Sequence, residues 1–158
     1  MKRAVNSGLP KPSAPIEWAT IADGIVYTAQ IPLKADGSIE SEDIRTQTRL
    51  TLDNLRQTLL AAGGTLSDVA QVLVYLPDPK DFPGMNEVYG QYFTVPFPNR
   101  ATIVAQLMVP GARIEIVAYA HVGRRRSTAQ RASNKNVTSP ARKTTPRLPN
   151  HKSIPKRP

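Results

Sequence analysis

Val69-Ala70-Gln71-Val72-Leu73-Val74-Tyr75-Leu76 is apolar or β-branched at nearly every position rather than at alternate ones. Such a run predicts a strand that needs cover on both of its faces. Pro77-Asp78-Pro79 stops it, and Thr65 to Asp68 turns into it. Upstream, Ser41-Glu42-Asp43 supplies a capping residue and acids for the first turn of a helix that runs to about Ala62 and ends at Gly63-Gly64. Ile44, Thr48, Leu52, Leu55, Leu59 and Ala62 recur at spacings of three and four, so one stripe faces a core while Arg45, Arg49, Asp53 and Arg56 face elsewhere. Downstream, Asp81-Phe82-Pro83-Gly84 leads to a second helix around Met85 to Phe93, with Met85, Val88, Tyr89, Tyr92 and Phe93 on its apolar side.

Further out, Glu17 to Ile21 and Ile25 to Ile31 read as two strands joined at Ala22-Asp23-Gly24, where Asp-Gly is a strong hairpin signal. Lys34 to Ser38 is a loop. Ala101 to Met108 and Ala112 to Val122 are two more strands, separated by a Val109-Pro110-Gly111 turn. The order β-β-α-β-α-β-β predicts an α+β domain with two helices on one face of a mainly antiparallel sheet. Two helices cover one face only. The other would leave about half of the apolar side chains of strand 69–76 in water, so a second subunit is expected to cover it.

A chain of 158 residues with 40% hydrophobic content suits one domain. No stretch approaches the roughly 18 apolar residues of a membrane span, and Met1 to Asn6 runs into Ser and Pro without an apolar signal core, so a cytoplasmic protein is expected. There is no cysteine, and His121 and His151 lie outside any metal-ligand spacing, which argues against a metal or another cofactor. The net charge of +9 is concentrated at one end. Of 21 Lys and Arg, 11 lie from residue 124 onward, where no Asp or Glu occurs; the remaining 10 face all 12 acids, leaving the body at −2. Three parts follow: a flexible segment 1–13, a domain 14–123, and a basic, disordered tail 124–158 that begins Arg124-Arg125-Arg126. The tail is the one place where nucleic acid would bind, though it has no aromatic residue for base stacking.

Thr28-Ala29-Gln30-Ile31-Pro32, Gln47 with Asn54-Leu55, Ala61-Ala62-Gly63, Ser67-Asp68-Val69, Asp81-Phe82, Met85-Asn86 with Val88-Tyr89 and Phe93, Pro98-Asn99-Arg100-Ala101 and Ile114-Glu115-Ile116 together resemble the Rid (reactive intermediate deaminase) superfamily, formerly the YjgF group. The similarity runs from about residue 14 to 122. The resemblance implies a chorismate-mutase-like fold, a homotrimer whose inner sheet faces form a barrel, and active sites in the clefts between subunits.

Hydrolysis of an imine beside a carboxylate needs a fixed cation, a proton relay and a positioned water. Arg100, at a loop-to-strand junction after Pro98-Asn99, matches the family's carboxylate-binding arginine, and a planar guanidinium suits that task. Glu115 matches the family glutamate that holds the attacking water; among Ile114, Ile116 and Val117 a carboxylate can have a raised pKa. The alternative is a solvent-facing salt bridge with Arg113, two residues away. Thr28 and Ala29 stand where the family usually has Ser-Gly, so the Thr28 hydroxyl is expected to bond substrate, while Asn86 matches a site-shaping asparagine or is a plain helix cap. Family deaminases commonly carry a tyrosine in the first strand region. Here Ala14-Pro15-Ile16-Glu17-Trp18 has none, and Trp18 is expected to line the cleft instead.

Three functions of different classes follow. The first is a deaminase of enamine or imine intermediates such as 2-aminoacrylate or 2-iminobutyrate, releasing a 2-keto acid and ammonia. The second is a carboxylate-binding relative without turnover. The third is RNA binding or cleavage aided by the tail, disfavoured because the body's one histidine, His121, lies at the very end of the last strand.

Overall fold

The computed structural model describes residues 1–123; the basic segment 124–158 lies outside the described residues. Six strands form one sheet in the order β1-β2-β3-β6-β4-β5: β1 Arg3–Ala4, β2 Ala19–Ala22, β3 Ile25–Gln30, β4 Val69–Leu76, β5 Asn99–Val104 and β6 Glu115–His121. Two helices, α1 Ile44–Ala61 and α2 Phe82–Tyr92, complete the α+β architecture. Every pairing is antiparallel except β4 with β5, which is parallel.

The β2–β3 hairpin turns where Asp-Gly predicts it, with Asp23 at φ 51° and Gly24 at φ 79°, the left-handed pair such a two-residue turn requires. Asp43 caps α1 by accepting a hydrogen bond from the Thr46 amide at 2.9 Å. Ile44, Thr48, Leu52, Leu55 and Leu59 are all buried, as their spacing requires. They pack on the sheet face formed by Val26, Val72, Val74, Ile116, Ala118 and Ala120, each fully buried. α2 contributes Met85, Val88 and Tyr89 to the same core. Both helices therefore sit on one face.

Three elements differ from the sequence expectation. α2 starts three residues early, at Phe82, because Pro83 is tolerated in a first turn and Gly84 lets the helices meet closely; a Cβ there would come within 2.8 Å of Ile44 Cγ2. The last two strands are shorter than expected and do not pair with each other, since β4 lies between them and takes β5 in parallel. Residues 1–13, expected to be a flexible lead, add the edge strand β1, and Val5 and Ser7 are buried there. Gln57 Nε2 fixes the segment by donating to the Ser7 carbonyl at 2.8 Å, and Trp18 Nε1 does so by donating to the Pro10 carbonyl at 2.7 Å.

Candidate active site

Register decides where each candidate side chain goes, because residues directly opposite on neighbouring strands point to the same face. Val72 of β4 is paired with both Arg100 of β5 and Ala118 of β6, so Arg100 projects on the helix side of the sheet. There it meets α2. Its Nη2 donates to Asn86 Oδ1 at 2.8 Å, and its guanidinium carbon lies 4.4 Å from the centre of the Tyr89 ring and 5.9 Å from that of Phe82. Phe82, Asn86 and Tyr89 are spaced at i, i+4 and i+7, one stripe of α2 that forms a rest for the guanidinium. Asn86, Tyr89, Gly90, Phe97, Pro98 and Arg100 line an open cleft of about 400 Å³.

Tyr89 and Phe82 escape the sequence reading because an apolar helix stripe signals only a core. Tyr89 is 5% exposed, and its hydroxyl is the buried side-chain polar atom left without a hydrogen-bond partner among the described residues. Burial pushes its phenol up to about 12, so near neutral pH the ring serves Arg100 as an uncharged platform.

Glu115 lies on the other face. It is paired with Tyr75 of β4, and Tyr75, Leu73 and Val117 are half-buried along the face without helices. Burial raises the pKa of Glu115. The carboxylate makes no hydrogen bond or ion pair among the described residues, and Arg113 is engaged elsewhere, with both carboxylate oxygens of Asp81. The simple Arg113–Glu115 bridge is therefore not formed.

Ala29 is opposite Val117 and so shares the Glu115 face. Trp18 precedes Ala19, the partner of Thr28, which puts it at the height of Ala29; with Ile16, Ile31, Leu33 and Val109 it lines a hollow of about 390 Å³ beneath the N-terminal arm. Thr28 points the opposite way. It is 5% exposed, donates to the Trp18 carbonyl at 2.7 Å and accepts from Gln30 Nε2 at 2.8 Å. Its hydroxyl is committed inside the chain, against the expectation that it bonds substrate; strand parity, invisible in the motif alone, sets this.

The candidate residues thus fall into two groups: Arg100 with Asn86 and Tyr89 on the helix side, Glu115 with Ala29 and Trp18 on the open side. No group of three or more His, Cys, Asp or Glu residues that could hold a metal occurs among the described residues.

Residues 8–122 match the sequence model of a family described as Endoribonuclease L-PSP. The 3-aminoacrylate deaminase RutC of Acinetobacter baylyi is 40% identical over 117 residues, which cover 73% of this chain and 93% of that protein. The crystal structure of YyfA from Yersinia pestis, a protein of the Rid family, has a TM-score of 0.73 at 30% identity, covering 77% of this chain and 100% of that one. That of Escherichia coli TdcF with bound serine has a TM-score of 0.69 at 28% identity, covering 75% and 98%. The chain belongs to the Endoribonuclease L-PSP family, the group of the Rid proteins.

Proposed function

We propose that this protein is a hydrolytic deaminase that converts enamine or imine intermediates of small amino acids, such as 2-aminoacrylate or 2-iminobutyrate, into 2-keto acids and ammonia. The observation that carries the reading is the Arg100 guanidinium held at the cleft mouth by Asn86 and the Tyr89 ring. A guanidinium fixed in this way offers its remaining N–H groups to a carboxylate without first losing freedom of its own. The 40% identity to a 3-aminoacrylate deaminase supports the chemistry, and serine bound to a relative fits a ligand of that size and charge.

In this reading Glu115 takes a proton from water as the water oxygen attacks the imine carbon, and returns that proton to the nitrogen as the C=N bond becomes a single bond. The carbinolamine then loses ammonia and leaves the ketone. Burial raises the pKa of Glu115, which suits a group that must both accept and return a proton. Arg100 and Glu115 of one chain face apart, so the working site combines Arg100 of one copy with Glu115 of another, and a cytoplasmic homotrimer is the assembly that provides it. A dehydratase that generates a short-lived imine, with keto-acid release timed with and without this protein, tests the reading. Unchanged release rates would refute it.

A further inference from the structure

We propose that the Asp81–Arg113 ion pair is a positioning strap, which fixes the start of β6, and with it Glu115, against the start of the helix that holds Arg100. The inference rests on the deaminase reading and adds two residues which that reading does not use. Asp81 is 4% exposed, a rare position for a carboxylate, and stands at the N-terminal boundary of α2 without capping it. Both of its oxygens go to Arg113, Oδ2 meeting Nε at 3.0 Å and Oδ1 meeting Nη2. The Arg113 amide donates to Gln47 Oε1 at 2.8 Å, and Gln47 Nε2 donates to the carbonyls of Gly111 at 3.0 Å and Glu40 at 2.7 Å. Residues 111 to 113 are therefore gripped by α1 through Gln47 and by α2 through Asp81.

Glu115 needs such a grip because the pairing of β6 with β4 begins at Glu115 itself, opposite Tyr75. The first rung of a ladder opens most readily, and the Glu115 carboxylate has no partner of its own among the described residues to hold it. The strap lies two residues before that rung. An ion pair with only its carboxylate buried is a weak source of net stability, since desolvation of Asp81 offsets much of its attraction to the half-exposed Arg113, whereas a two-bond fork restricts geometry strongly. Five residues beyond Asp81, α2 presents Asn86 to Arg100. One ion pair thus connects the backbone of the two groups of candidate residues.

The test uses the full chain. Asp81→Asn is expected to lower kcat about tenfold to a hundredfold through misplacement of Glu115, with KM within about twofold because Arg100 still binds the carboxylate. In a Glu115→Gln background the same change is expected to have no further effect on the residual kcat. Amide exchange at residues 113–116 is expected to rise on the order of tenfold, with α1 and β3 unchanged. A kcat loss that persists undiminished in the Glu115→Gln background, or unchanged exchange at 113–116, overturns the strap. Where Asp81→Asn does not fold, Arg113→Lys repeats the test with a cation still facing Asp81. Absence of imine turnover in the unaltered protein would refute the deaminase reading alone, and the exchange comparison would still decide the strap.

Discussion

Arg100 and Glu115 leave the sheet on opposite faces. Arg100 shares the helix side with Val72 and Ala118, whereas Glu115 is three positions from Ala118 on β6 and projects beside Tyr75 on the open side. Loop motion cannot bring them together, because both are anchored in strands and the sheet lies between. In the proposed mechanism the chemistry that joins them therefore draws on a second copy of the chain.

Arg100→Ala is expected to lower kcat/KM for a carboxylate-bearing imine by two to four orders of magnitude, corresponding to about 3 to 5 kcal/mol for leaving that carboxylate unpaired in a partly desolvated cleft. Arg100→Lys should rescue little, since an ammonium can neither hold two parallel hydrogen bonds nor stack on Tyr89 in the same way. Thermal melting should be nearly unchanged, as Arg100 lies at the cleft rather than in the core. Steady-state kinetics on the two variants decides, and near-normal hydrolysis by a folded Arg100→Ala protein would refute the carboxylate anchor.

Glu115 sets the expected pH dependence. Burial raises its pKa above the ordinary 4.5, and only the ionised form can accept a proton from water, so kcat should fall as pH drops through that raised value. Glu115→Gln should remove this acidic limb and lower kcat more than it raises KM. The stability effect has the opposite sense. A carboxyl whose folded pKa is raised contributes stability below pH 4.5 that is lost as pH rises through the folded value, so Glu115→Gln should melt no lower than the parent near neutrality. A pH–rate profile and melting curves from pH 4 to 8 check both.

The two-helix α+β plan was legible because hydrophobic period, the Asp23-Gly24 turn and the Asp43 cap are local signals. The parallel partnership of β4 with β5 was not, since nothing within either strand encodes its neighbour. For the site, the family resemblance pointed to Arg100, Glu115, Asn86 and Thr28 as candidates, but it carried no strand parity: Ala19 and Ala118 flank Thr28 on the helix side, so its hydroxyl turns inward to Gln30. The polar composition of the N-terminal arm gives no local sign of the bonds that hold it, a long-range one from Gln57 to the Ser7 carbonyl and a nearer one from Trp18 to the Pro10 carbonyl.

Tyr89 is expected to act through its ring and not its hydroxyl. Tyr89→Phe removes a buried hydroxyl that has no partner, so stability should hold or rise by up to about 1 kcal/mol, with kinetics unchanged. Tyr89→Leu removes the platform beneath Arg100 and should raise KM roughly fivefold, equivalent to about 1 kcal/mol of cation–π interaction. Denaturant titration and steady-state KM separate the two. A large loss in Tyr89→Phe would mean that the hydroxyl meets substrate.

The division of the site between faces yields a sharper test, because two inactive variants should restore one another. Arg100→Ala keeps Glu115, and Glu115→Gln keeps Arg100. If each working site takes Arg100 from one copy and Glu115 from its neighbour, mixed assemblies contain some sites with both groups intact and others with neither. Random mixing of equal amounts leaves about a quarter of the sites intact, so activity should recover to about a quarter of the parent level. Light scattering should show both variants, and the mixture, at three times the 17.3 kDa chain mass. Exchange of subunits has to be forced by unfolding and refolding the two proteins together, with each refolded alone as the control. Recovery in the co-refolded sample and none in the controls would place the two residues across an interface. Absence of recovery in a trimer shown to be mixed would mean that one chain completes its own site, and the opposite-face geometry would then have to change in the working enzyme.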